Sequence, residues 1–422
     1  MAARRRQARA RPVKRSRRIS ILCPVLVLSF LAEQFAFAAW DLTKPGDPNR
    51  SWGVSLSSGV QYNDNIFGSQ VHPEGGVRET SDFKFRAAVP FERLFMAVQY
   101  DYGIIYPEDI HLGNLEQTHS LNASANYIVN PRLEFGLSEA YVSSLLPGLV
   151  TGPAGVPISI SNAGNYTYDA VGGSATYALT RRWTVAASSG WDIWRYETAA
   201  NAFGNDHEDF STTLSALYGL DARTTVGLNY QYSEDAYVHP GPNDSLNGNM
   251  NTVYLSLARR FNPRLSLTLN GGYSIRKSGD GTTTSSPSAL GSVVYNYGPY
   301  NTITLTIAEA LSQASVGITS TFSAQENTSF ALQARHRLTA RLQALADLTY
   351  TYSAFTARVA GGIGSGAANE QSSTAHLGLS YAFRDWLSGT VDYNHNQILS
   401  SNQGLVAPYS NNQISLGMTV SY

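Results

Sequence analysis

The stretch Trp52-Gly-Val-Ser-Leu-Ser-Ser-Gly-Val-Gln-Tyr-Asn63 decides the fold. Trp52, Val54, Leu56, Val60 and Tyr62 fall on one parity, and Gly53, Ser55, Ser57, Gly59, Gln61 and Asn63 fall on the other. Successive side chains of a strand point to opposite faces, so a period of two held this long specifies a strand with one apolar and one polar face. The pattern returns at Leu94, Met96, Val98, Tyr100 and Tyr102, at Trp183, Val185, Ala187, Trp191 and Ile193, and at Leu342, Ala344, Ala346, Leu348 and Tyr350. It closes the chain at Ile414, Leu416, Met418, Val420 and Tyr422, and no helical stripe of comparable length interrupts it.

The connections alternate in length. Short turns fall at Pro90-Phe91-Glu92-Arg93, Asn130-Pro131-Arg132, Thr180-Arg181-Arg182, Asp221-Ala222-Arg223, Asn262-Pro263-Arg264, Gly298-Pro299, Leu338-Thr339-Ala340 and Arg384-Asp385. Longer Gly/Asn/Ser/Pro-rich loops are expected near 64–78, 107–117, 144–165, 196–208, 233–249, 276–287, 312–320, 353–370 and 396–410. Short periplasmic turns facing long extracellular loops predict an all-β fold: a single closed antiparallel transmembrane β-barrel of about 18 strands, with both termini in the periplasm. The segment from Thr319 to Arg337 could be divided in another way.

Composition agrees. Charged residues make up 14%, Tyr and Gly number 25 and 36, and no segment after residue 38 has the unbroken apolar length of a transmembrane helix. Arg4, Arg5, Arg6, Arg9, Arg11, Lys14, Arg15, Arg17 and Arg18 precede an apolar run from Ile19 to Leu31, and Ala36-Phe37-Ala38 follows. That order of a basic region, an apolar region and a small-x-small site predicts a signal peptide over 1–38, cut between Ala38 and Ala39. A periplasmic segment over 39–50 and a barrel over 51–422 then complete the chain. Ser16-Arg17-Arg18 does not extend into a full twin-arginine pattern, and Leu22 before Cys23 argues against a lipoprotein signal. Cleavage removes Cys23, the only cysteine, so no disulfide or metal thiolate is expected, and no cofactor. It also removes nine of 30 basic residues and one of 31 acidic ones, leaving 21 and 30 and a net charge of −9. An acidic chain without a basic cluster offers nucleic acid nothing.

Parity also assigns the lumen. With the apolar set against lipid, Asp82, Lys84, Arg86, Asp101, Glu134, Asp192, Arg335, Asp347 and Asp392 face inward, as does His376, and acids outnumber bases. Glu139 and Glu309 fall on the lipid parity, where mid-bilayer charge is costly, so both are expected at the outer rim, or at a bulge. His72, His111, His207 and His239 are expected in loops. No Ser/His/Asp set, acidic pair with a histidine, or metal spacing recurs at one expected level, so the chain is not expected to be an enzyme. Gly361, Gly362, Gly364 and Gly366 read as a flexible loop rather than a phosphate cradle.

Tyr62-Asn63-Asp64-Asn65-Ile66-Phe67, the Asn-Pro-Arg turns at 130–132 and 262–264, and the terminal strand together resemble the outer-membrane β-barrel porins often found in exopolysaccharide-production gene clusters. The resemblance implies a barrel associated with export and carries over no catalytic residue. The alternation ending on Tyr422 is similar to the signal by which barrel-assembly machinery recognises its clients. The expected function is a channel in the cell outer membrane passing polar solutes or a neutral exopolysaccharide, with outer-membrane lipid, the assembly machinery and exopolysaccharide-secretion components as partners. The competing reading is a plugged structural or adhesive barrel. Strand number favours transport, because a barrel of about 18 strands is wide enough for an aqueous channel.

Overall fold

The structure, a computed structural model, describes residues 51–66, 72–107, 116–144, 149–151, 157–159, 165–197, 202, 206–238, 247–279, 281–313, 322–357, 368–400 and 408–422. The signal peptide, the Ala38–Ala39 cleavage site, Cys23, residues 39–50, Phe67 and the glycines at 361–366 lie outside the described residues.

Twenty strands follow in order: β1 (Trp52–Asn63), β2 (Gly76–Pro90), β3 (Leu94–Pro107), β4 (Glu116–Asn130), β5 (Leu133–Ser144), β6 (Leu149–Thr151) and β7 (Pro157–Ser159). Next are β8 (Tyr166–Ala178), β9 (Trp183–Tyr196), β10 (His207–Asp221), β11 (Thr224–Tyr237), β12 (Gly248–Asn262), β13 (Leu265–Ser278) and β14 (Thr283–Gly298). The series ends with β15 (Asn301–Gln313), β16 (Phe322–Arg337), β17 (Leu342–Ala357), β18 (Ala368–Arg384), β19 (Leu387–Ser400) and β20 (Tyr409–Ser421). β6 and β7 pair only with each other, inside the connection from β5 to β8. The other eighteen form one antiparallel sheet, and β1 pairs with both β2 and β20, which closes it into a barrel.

The two parities have separate fates. Leu255 is 65% exposed and Leu56 and Leu137 are each 59% exposed, while Ser57 beside Leu56 and Ser256 beside Leu255 bond across strands on the other face. A wall that exposes large aliphatic side chains throughout requires lipid outside it, so this is an outer-membrane barrel. An aromatic girdle marks the periplasmic headgroup level. Trp183 packs against Tyr218 and Trp52 against Tyr422 at the periplasmic side. Further along the outer wall, Tyr100 bonds His119 at 2.8 Å and Tyr230 bonds Asn251 at 2.6 Å.

Four of the periplasmic turns share one device. Asn130 Oδ1 accepts the backbone N–H groups of Arg132 and Leu133 at 2.9 and 3.1 Å, and Asn262 Oδ1 accepts those of Arg264 and Leu265 at 2.8 and 3.0 Å. Thr180 and Thr339 Oγ1 do the same for Arg182 with Trp183 and for Arg341 with Leu342. A short polar side chain thus satisfies the turn donors that no strand can reach, which is why these residue types open the turns.

The seam between β1 and β20 is clasped just beyond the strand ends. Asp64 accepts the Asn412 backbone N–H at 2.6 Å and its side-chain Nδ2 at 2.7 Å, while the Asp64 N–H donates to the Asn412 carbonyl at 3.0 Å. Asn65 Nδ2 donates to the Ser410 carbonyl at 2.9 Å. Tyr393 Oη, at 2.8 Å, and His395 Nδ1, at 2.9 Å, complete the set on Asn412 Oδ1. The Asn-Asp-Asn element therefore ties the first strand to the last.

Three expectations need correction. The loop near 276–287 is a tight hairpin, since β13 runs to Ser278 and β14 begins at Thr283. β10 begins at His207 and β11 runs to Tyr237, so neighbouring loops are shorter than expected, and Thr319–Arg337 holds the single strand β16. Glu139 is not at the rim: it sits exposed in the middle of β5, between Ala123 and Val171 on the outer wall. Glu309 does stand toward the extracellular end of β15.

Above that level the wall overlaps itself. Pairing of β14 with β15 stops at Ala289 and Glu309, although β14 continues to Thr283 and β15 to Gln313. Ser286, on the inner parity of β14, donates to Glu326, on the outer parity of β16, at 2.7 Å. Leu311 and Ala324 share that outer parity and are nevertheless buried, at 3% and 0%. The β13–β14 hairpin thus lies over the outer face of the β15–β16 ends, which dip inward.

Candidate functional site: the lumen wall

Closure makes the polar parity a continuous inner surface, and its charged residues gather in distinct places. On β2 and β3, Asp82 accepts from Ser57 Oγ at 3.4 Å, and Asp101 accepts from Gln99 Nε2 at 2.7 Å with Lys84 Nζ 3.9 Å away. The Lys84–Asp101 pair is partly exposed, so it contributes at most about 1 kcal/mol. Arg86 stands opposite Gly53 and Gln99, Glu134 opposite Ile128 and Thr176, and Arg335 opposite Thr302 and Leu345.

On β17, β18 and β19 the wall holds an arrangement that the sequence reading did not expect. His376 Nδ1 is 3.3 Å from Asp347 Oδ2, and its Nε2 is 3.1 Å from Asp392 Oδ1. An acidic pair with a histidine is therefore present at one level. The spacing along the chain concealed it, because the partners come together only through strand register.

A third cluster lies higher, on β9 to β13. Register places Asp192, Asp209 and Asp235 side by side on successive strands. One step nearer the outside, Trp194, His207 and Tyr237 form the adjacent row, with Trp194 and His207 stacked at 5.8 Å and His207 and Tyr237 at 5.2 Å. Tyr166, Trp194 and Tyr196 are buried together against Val142, Tyr168 and Ala202, a small core that holds the strand ends in place. His207 Nε2 lies 3.5 Å from Asp209 Oδ2. Arg276 crosses over Gly248 to pair with Asp235, and a Cβ at residue 248 would stand 2.6 Å from Arg276 Nη2.

Of this upper cluster the sequence reading found only Asp192. His207, Asp235 and Arg276 were assigned to loops because the apolar alternation fades there. A usable signal existed: Asp209 keeps parity with Thr213, Asp235 with Gln231, and Arg276 with Gly272, all on the inner face.

Among solved structures the chain resembles the outer membrane protein OpdK from Pseudomonas aeruginosa, at 11% identity and a TM-score of 0.46, over 88% of this chain and 99% of that one. It also resembles the siderophore receptor PirA from the same organism, at 13% identity and a TM-score of 0.42, over 89% and 81% of the two chains. The FrpB iron transporter from Neisseria meningitidis gives 10%, 0.44, 89% and 81%. No protein-family model and no curated protein matches this sequence. Likenesses this distant bear on no ligand or activity; the wall's own chemistry carries the functional reading.

Proposed function

We propose that this barrel is an outer-membrane channel for polar solutes or a neutral exopolysaccharide, working beside exopolysaccharide-secretion components. One observation carries the reading: the inner parity holds more carboxylates than cations, with Asp209 and Asp235 against Arg276 adding to those counted from sequence. Acidic side chains lining a pore favour cations and repel anionic polymers. Lining residues are partly exposed at the mid-level, as at Asp347, His376 and Asp392. The reading assigns no catalytic step to the lumen.

A plugged barrel has one observation in its favour. Inner residues at the extracellular ends of β13, β16 and β17 are buried, including Ser274, Arg276, Gln325, Asn327 and Ser353. The deciding measurement is the reversal potential in a salt gradient across a planar bilayer holding the purified protein. Modest cation preference is expected; clear anion preference would refute the lumen assignment, and absence of conductance would favour the plugged structural barrel.

A further inference from the structure

We infer that Asp347, His376 and Asp392 form a proton-binding site in the lumen wall, and that His376 sets the channel's cation preference; only the second half rests on the channel reading. The argument is a proton count. Both imidazole nitrogens of His376 lie within hydrogen-bond distance of a carboxylate oxygen, at 3.3 and 3.1 Å. A neutral imidazole has one N–H and one lone pair, and an ionised carboxylate only accepts. Satisfying both contacts therefore takes one proton more than a neutral imidazole and two carboxylates hold between them. Without it, a nitrogen lone pair faces an oxygen lone pair. The extra proton resides either on the imidazole, which then donates to both aspartates, or on one carboxyl, which then donates to the imidazole. In either form the trio carries a charge of −1, and on losing the proton it carries −2.

The strands impose this arrangement. Asp347 is directly opposite His376, and Asp392 is one diagonal away, opposite Gly378. A Cβ at residue 378 would lie 2.7 Å from Asp392 Oδ1, so the glycine there leaves that carboxylate room to lean toward His376. The neighbours supply little other charge. Gln333 of β16 stands opposite Asp347, Asn394 of β19 opposite His376, and Ser415 of β20 opposite Asp392. Arg335 of β16 is in the row of Asp392 but separated from it by Leu345 and Gly378. Glu370 on β18 itself is three inner positions further toward the outside. The side chains of Asp347, His376 and Asp392 are 30, 25 and 31% exposed, so lumen water reaches the site and can exchange its proton.

The proton is read without reference to transport, by imidazole nitrogen NMR of the protein in detergent micelles, with the signal assigned by its loss in His376→Gln. A protonated or proton-sharing pattern is expected at pH 7, because the two contacts need one proton more than a neutral imidazole supplies. A neutral imidazole pattern at pH 7 overturns the site. In bilayers the cation-to-anion permeability ratio of the native protein should rise about twofold once alkaline pH removes the proton, as the wall gains a negative charge. His376→Gln should give a ratio that varies less with pH than the native one and exceeds it at pH 7. The same pH dependence in both proteins overturns the role of His376. Absence of conductance in both removes the channel reading and the selectivity claim together, and the NMR result still decides whether the proton site exists.

Discussion

The periplasmic and extracellular ends of this barrel are built on different rules. At the periplasmic end most turns are closed locally, by a side chain such as Asn130, Thr180 or Asn262 bonding backbone two and three residues further on. At the extracellular end the contacts reach across strands: Arg276 to Asp235 over Gly248, Ser286 to Glu326 past β15, and Asp64 to Asn412 between the two ends of the chain. Local bonds can be lost one at a time, whereas the long-range ones hold up a wall that overlaps and dips inward. The two ends should therefore respond differently to mutation.

The largest expected effect is at the seam both ends share. Deleting Met418 to Tyr422 removes the β20 residues that pair with Ser55 to Ser58 and leaves open edges on β1 and β19. Open edges are not tolerated in lipid, so no heat-modifiable barrel should form on a gel. A normal heat shift would refute closure through β20.

Next comes the upper wall. Arg276 is 2% exposed and paired with Asp235, which is 13% exposed. Arg276→Ala should cost about 3–5 kcal/mol in urea unfolding from micelles, because it leaves a carboxylate buried without its cation. The double change Arg276→Ala with Asp235→Ala should cost less than Arg276→Ala alone. If it costs as much as the two single changes added together, the ends are held by something other than this pair.

The clasp is weaker and depends on pH. The side-chain and backbone amides of Asn412 hold the Asp64 carboxyl below its ordinary range. Its contribution is therefore fully present above the unfolded value, about pH 4, and is lost as pH falls through the lower folded value. Asp64 is partly exposed, so the effect should stay under about 1 kcal/mol. The heat-shift midpoint of the native protein should drop on acidification below pH 4, and that of Asp64→Asn should drop less.

Smallest of all should be Asn262→Ala, at about 1 kcal/mol for the lost turn bonds, with strand register unchanged by hydrogen exchange. A loss as large as that of Arg276→Ala would end the distinction between the two ends.

The sequence by itself determined the strands, their faces, the short turns and the closure. Each of these is set by local chemistry: lipid enforces alternation from Trp52 to Tyr422, and turn donors demand Asn, Thr or Asp at fixed places. The hexapeptide around Asp64 was legible as a motif, but its work as a clasp was not, because its partner lies at Asn412. Only the tertiary structure decided where the extracellular strands end. Above the lipid the outer positions become charged, as at Glu208 and Glu234, and the alternation that announces a strand disappears while the ladder of hydrogen bonds continues. For the same reason the aspartate row on β9 to β11 and the Asp347–His376–Asp392 trio could not be read along the chain. Their members come together through register between strands, and register is fixed by how the whole barrel closes.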